Sequence, residues 1–307
     1  MNRRIFVLVF LASFFSLSSN ARDSKNGFDV GNASIPVREI LSGGPPKDGI
    51  PAIDRPRFVG AHEADFLSGD DRVIGIVLHD RAKAYPIAIL NWHEIVNDQI
   101  GPQPIVVTYC PLCGTGMVFA APRHMDFGVS GLLYNSDVLL YDRQSGSLWS
   151  QIKMEAISGR RLGEKLELLP ASHTTWSDWQ TRNPRTQVLS ERTGVRRDYD
   201  RNPYEGYGKS RELFFSASSR DNRYHPKEQV IGVKVGEQAW VWPFAELAKS
   251  SGVLEDEIAG QKVVVRYNGE ARSGGVFSED GKEIPSTIAY WFAWMSFYTA
   301  SDVYRAP

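Results

Sequence analysis

Apolar residues along the chain fall in short runs rather than at a helical period. VIGIVLHD (73–80) and VIGVKV (230–235) are rich in β-branched residues and predict strands. KAYPI and AWVWPF follow after polar, turn-compatible residues, so each pair predicts a hairpin. Pro86 and Pro243 then suit the first turn of a short helix, where a missing N–H costs nothing. PIVVTY (104–109) and KVVVRY (262–267) are continuous apolar runs, as expected of buried strands. FGVSGLLY, DVLLYDR and SLWSQ add short strands separated by Gly, Asn, Asp and Ser turns. The pattern predicts an α+β chain, β-dominated with short helices, and leaves barrel against sandwich open.

The runs also repeat. Seven of the eighteen paired positions are identical between residues 73–90 and 230–247, and five of ten between 100–109 and 258–267. GMVF (116–119) then pairs with GGVF (274–277). Such self-similarity predicts two divergent copies of one β-rich unit, residues 70–150 and 228–307, joined by a middle segment, 151–227. Cys110 faces Asn268 and Cys113 faces Ala271 in this pairing, and the counterpart of the His93 stretch has no histidine. A second copy that folds without these groups argues that the fold does not demand them.

The flanking segments are less regular. Residues 22–69 include SGGPPKDGIPAIDRPRF, too dense in Pro and Gly for helix or central strand, and read as an ordered arm. RTGVRRDYDRNPYEGYGKSR (192–211) is charged and rich in turn formers, and its arginines read as a solvated loop. The aromatic run YWFAWMSFY (290–298) reads as core packing. Arg3 and Arg4 precede an apolar run from Ile5 to Leu17, with small residues Ser19 and Ala21 after it, which is the pattern of a signal peptide over residues 1–21. Export to the periplasm or the extracellular space follows, with no integral membrane segment once the signal is removed. The 35 basic and 36 acidic side chains balance to a net charge of −1, which gives no footprint for nucleic acid.

Chemistry concentrates in TYCPLCGTGMVF (108–119), which holds both cysteines of the 307-residue chain. C-x-x-C closes a small loop in which both sulfurs can meet one metal or each other, and Pro111 stiffens it. Two thiolates do not fill a zinc site, whereas soft sulfur suits a copper ion, with Met117, His93 or His124 completing the set. The same cysteines fit a thiol–disulfide oxidoreductase, Cys110 attacking and Cys113 resolving, or an inert short-loop disulfide in a non-catalytic module that binds a partner. Asp142 and Arg143 could bind a ligand carboxylate or brace a strand turn. Ser130 lacks the G-x-S-x-G elbow of serine hydrolases.

Across nearly the whole mature chain the sequence resembles a bacterial family known as domain-of-unknown-function family 3179. GGPPKDGIPAID, AYPIAILNWHEIVND, VTYCPLCGTGMVF, FGVSGLLYNSDVLLYDRQSGSLWSQ, HPKEQVIGV and YWFAWMSFY carry the resemblance. It implies kinship and export, and no reaction. The residues lead to an exported protein that binds a soft transition metal, copper foremost, through the C-x-x-C loop.

Overall fold

The structure, a computed structural model, describes residues 23–307. The expected signal peptide lies outside the described residues. The chain is β-dominated, and five small sheets of four or five strands are arranged as a five-bladed β-propeller. This overturns the expectation of an α+β chain built from two divergent copies of one unit. The matching stretches 73–90 and 230–247 are single hairpins with their following helices, and the sheet built on Phe127–Tyr134 and Asp137–Asp142 has no counterpart. The likeness is between single hairpins and does not extend to whole domains.

In one blade, Arg72–Leu78 and Arg81–Pro86 pair from Val73↔Pro86 to Leu78↔Arg81. Ser172–Thr175 flanks one side, and Gln187–Leu189 runs parallel to Arg81–Pro86 on the other, with Phe58–Gly60 at the edge. A second blade follows the same plan with Gln229–Val235, Gln238–Pro243, Thr287–Tyr290 and the parallel Asp302–Val303. The short helices Ile87–His93 and Phe244–Leu247 begin directly after Pro86 and Pro243. Two further helices, Trp176–Arg182 and Trp291–Phe297, lay a tryptophan across a strand glycine, Trp179 on Gly75 and Trp294 on Gly232. Each indole N–H then finds a hydroxyl, Thr186 Oγ1 at 3.0 Å and Ser301 Oγ at 2.9 Å. Both tryptophans are buried, so these bonds satisfy donors that would otherwise be costly.

Two four-stranded blades hold Gln103–Cys110 with Thr115–Ala120, and Gln261–Asn268 with Ser273–Ser278. The fifth sheet runs Glu155–Ser158, Leu148–Ser150, Asp137–Asp142, Phe127–Tyr134, with arm strand Ile40–Ser42 at its edge. Every residue of Asp137–Asp142 is buried, whereas Val253–Ile258 alternates between exposed and covered positions. DVLLYD is thus a strand covered on both faces, and VLEDEI one with a wet face. The apolar cluster around Cys110 and Cys113 draws in Met117, Phe127, Trp149 and Phe292, so the cysteine loop sits where several blades meet. Among the described residues no helix is long and apolar enough to cross a membrane.

The two tryptophan–glycine contacts make a stability prediction. A Cβ on Gly75 or Gly232 would fall 2.3 Å from the facing indole, closer than any real contact. Gly75→Ala and Gly232→Ala should each cost about 1–3 kcal/mol through overpacking. Urea unfolding of each variant measures this, and unchanged midpoints would show that the indoles can shift.

Candidate metal centre

The cysteine loop closes a hairpin whose last ladder pair is Cys110↔Thr115. Pro111 starts the turn, Cys113 N–H donates to Cys110 C=O at 3.2 Å, and Gly114 takes φ +59. Gly114 is required there twice over. Its φ disfavours a side chain, and a Cβ would fall 2.8 Å from the Tyr290 ring. The Cys113 carbonyl accepts from Tyr290 N–H at 2.8 Å and from Thr115 Oγ1 at 3.0 Å, which ties the loop to a neighbouring blade.

A second hairpin brings the third donor. Phe127–Tyr134 and Asp137–Asp142 are joined by Asn135 and Ser136, both left-handed at φ 53 and 65, as a tight two-residue turn with strand-matched twist requires. Such a turn usually lies in solvent, but Asn135, Ser136 and Asp137 are all buried. Side chains make this possible. Asn135 Nδ2 donates to Ser296 C=O at 3.2 Å, Asn135 Oδ1 accepts from Ser218 N–H at 2.9 Å, and Ser136 Oγ donates to Phe215 C=O at 2.7 Å.

The two hairpins meet tip to tip. Cys110 Sγ, Cys113 Sγ and a carboxylate oxygen of Asp137 lie within 4.8 Å of one another, so the three can hold a metal ion. Both thiols are free and donate to Ser136 C=O, at 3.6 Å from Cys110 and 3.4 Å from Cys113. Asp137 Oδ2 accepts from Ile152 N–H at 3.0 Å, while its buried Oδ1 has no hydrogen-bond partner. The two thiols lie beside this carboxylate and pull on it, so a thiol proton, or a cation in its place, can serve the open oxygen.

Burial dominates the electrostatics. It pushes Asp137 up to about 8, against the pull of the Ile152 and Val138 N–H groups. Glu94 rises to about 8 as well, first through burial and then through the charge of Asp137. Burial lifts the Cys110 thiol, and burial together with the neighbouring Cys110 lifts Cys113 well above the ordinary range. Without a metal, then, the cluster is a set of neutral, protonated acids. Thiol–disulfide exchange asks for the opposite, an accessible sulfur with a depressed pKa, and here the cysteines are 1% and 0% exposed.

The other residues singled out in the sequence lie elsewhere or are engaged. His93 is buried with both ring nitrogens occupied, Nδ1 by Pro51 C=O and Nε2 by the Tyr199 hydroxyl, each at 2.7 Å. His124 sits in an exposed turn at φ 63. Met117 lies opposite Thr108 in the cysteine hairpin and packs in the same apolar cluster as the two sulfurs. Asp142 accepts from Ser145 N–H at 2.6 Å and from Trp149 Nε1 at 3.0 Å, and Arg143 pairs with Asp54 at 3.1 Å. Asp142 therefore braces its turn, and Arg143 ties the turn to the arm. Asp137 escaped the sequence reading because it opens an apolar strand. The signal was the pair Asn135-Ser136 between two apolar runs, which places the next residue at the tip of a hairpin.

The family described as "Protein of unknown function (DUF3179)" matches residues 47–280. The chain belongs to this DUF3179 family. Both hairpin tips, and so all three donors, lie inside the matched span. No curated protein and no solved structure matches the chain.

The buried acids fix a pH dependence. In the unfolded chain Asp137 and Glu94 titrate near 3.8 and 4.5, whereas in the folded protein each keeps its proton to about 8. The folded state therefore binds more protons across that interval. Their contribution to stability is whole below about pH 4 and is lost as the pH rises towards 8. Urea midpoints of the metal-free protein should fall between about pH 5 and 8, and Asp137→Asn, which stays neutral, should flatten that slope. An identical slope in wild type and variant would mean that Asp137 is ionised in the fold.

Proposed function

We propose that this is an exported metal-binding protein whose site is Cys110, Cys113 and Asp137. The observation that carries the reading is the convergence of three buried ionisable donors from two hairpin tips, one of them with an unpartnered oxygen. Burying three acids side by side costs stability, and the cost has a use if a cation replaces their protons. The signal-like N-terminus supports export.

The third donor bears on the choice of metal. Two thiolates alone suit Cu(I), but a carboxylate is a hard ligand and suits a borderline divalent ion. Three ionised donors also carry three negative charges, which a divalent ion offsets better than a monovalent one in a dry site. The reading therefore moves from copper to Zn2+ or a similar ion. Ser136 C=O fits the same geometry. Its 3.6 and 3.4 Å separations from the two sulfurs match the spacing of about 3.6 Å between S and O ligands on a tetrahedral zinc ion. A site of two thiolates, one carboxylate and one carbonyl or solvent position binds and stores an ion, or keeps one position open for a ligand.

Elemental analysis of protein purified without added metal, followed by competitive titration with Zn2+ and Cu(I), tests this. One equivalent should bind to wild type, none tightly to the Cys110→Ser/Cys113→Ser double variant, and Asp137→Asn should weaken Zn2+ at least tenfold while sparing Cu(I). Because each donor must lose a proton, Zn2+ affinity should climb with pH up to about 8 and beyond. Equal and weak uptake by wild type and the double serine variant would end the proposal.

A further inference from the structure

A cavity of about 360 Å3 opens beside the cysteine loop, with Pro111 and Gly114 in its wall. Its charged lining is of one sign. Arg72, Lys209, Lys227 and Arg272 face it, and no Asp or Glu does. In a chain with as many acids as bases this segregation is not a property of composition.

The cations are not consumed by ion pairs. Lys227 is 5% exposed, yet its ammonium meets the carbonyls of Ser210 at 2.9 Å and Glu212 at 2.8 Å and the faces of Tyr207 at 3.9 Å and Phe292 at 5.8 Å. A buried ammonium normally has a carboxylate partner, since desolvation of an unpaired charge is expensive. Arg72 likewise donates only to main-chain carbonyls, those of Ala271, His173 at 2.9 Å and Arg272 at 3.0 Å. Among the described residues neither has a carboxylate within ion-pair distance, and the side chains of Lys209 and Arg272 at the exposed rim have no hydrogen-bond or ion-pair partner.

Two neutral groups complete the lining. His173 and Tyr207 are buried, with the His173 Nδ1 and the Tyr207 hydroxyl closed off from solvent. Tyr109, Tyr204 and Tyr290 add flat aromatic surface. Tyr290 packs closely against two other residues of the wall, as a Cβ on Gly114 would lie 2.8 Å from its ring and one on Gly208 2.8 Å from its hydroxyl.

We propose that this cavity binds a small anion, a carboxylate or phosphoryl group carried on an aromatic or apolar body. The oxyanion would take hydrogen bonds from Arg272, Lys209 and the deeper Lys227, charge-assisted and therefore strong. The tyrosine faces would cover its body. The anion site needs no metal, so it stands or falls apart from the cysteine centre.

Calorimetric titration of the metal-free full chain at low salt with benzoate, benzamide and inorganic phosphate tests the site. Saturable binding of benzoate identifies an organic carboxylate as the ligand class, and binding of phosphate identifies a phosphoryl oxyanion. Either should weaken about tenfold or more in Lys209→Gln/Arg272→Gln, whose exposed, unpartnered side chains leave folding untouched. Arg196→Gln, an exposed arginine of the preceding loop outside the cavity, should bind as wild type does. Binding of benzamide as tight as benzoate, equal binding in the double variant, or no binding of either anion overturns the proposal.

Discussion

The Asn135-Ser136 turn, held inside the protein with its carbonyl facing two thiols, is the constraint on which the rest of the site depends. A two-residue turn exposes backbone groups that strands would satisfy, and water usually serves them. Here Ser218, Ser296 and Phe215 pair with the turn's side chains, and the two thiols serve its Ser136 carbonyl. Gly is the ordinary residue at the second position of such a turn. Ser136 accepts the left-handed backbone in exchange for a hydroxyl that bonds Phe215. Once the tip is fixed, Asp137 follows in the chain and has nowhere to go but the interior. The acid is buried because the turn is.

The cysteine hairpin meets that tip from another sheet, and a third sheet locks it through Tyr290 N–H on Cys113 C=O. Three blades thus converge on one point, and no blade carries the donor set alone. A relative displacement of the blades by an ångström would part the thiols from Ser136 C=O, so the site depends on packing at the seam more than on either loop. The largest apolar cluster surrounds that seam and supplies the rigidity.

Much of this was legible in the chain. Hairpins at 73–86 and 230–243, the helices after Pro86 and Pro243, and the cysteine loop at a strand end all follow from local pattern. The five-sheet arrangement does not. It depends on strands as short as Phe58–Gly60, Gln187–Leu189 and Asp302–Val303, which carry no periodicity of their own and pair with partners far away in sequence. His93 shows the same limit in a side chain. Its type and position suggest a donor, but Pro51 and Tyr199 occupy both nitrogens, and neither partner can be inferred from the residues near it. Asp137 is the converse case, a polar residue whose apolar neighbours concealed it.

Placement of a cationic cavity against a cluster of buried acids also has an electrostatic logic. Protonated, Cys110, Cys113, Asp137 and Glu94 contribute no charge, and the unpaired Lys227 and Arg72 leave the region positive. Deprotonation at the cysteine centre adds negative charge, opposite in sign to that of the cavity wall, and Tyr207 meets both: its ring lies under the Lys227 ammonium and its hydroxyl feels the charge of the two sulfurs. In a medium of low dielectric such compensation acts over longer distances than in water. Charge at either place therefore lowers the cost of the opposite charge at the other.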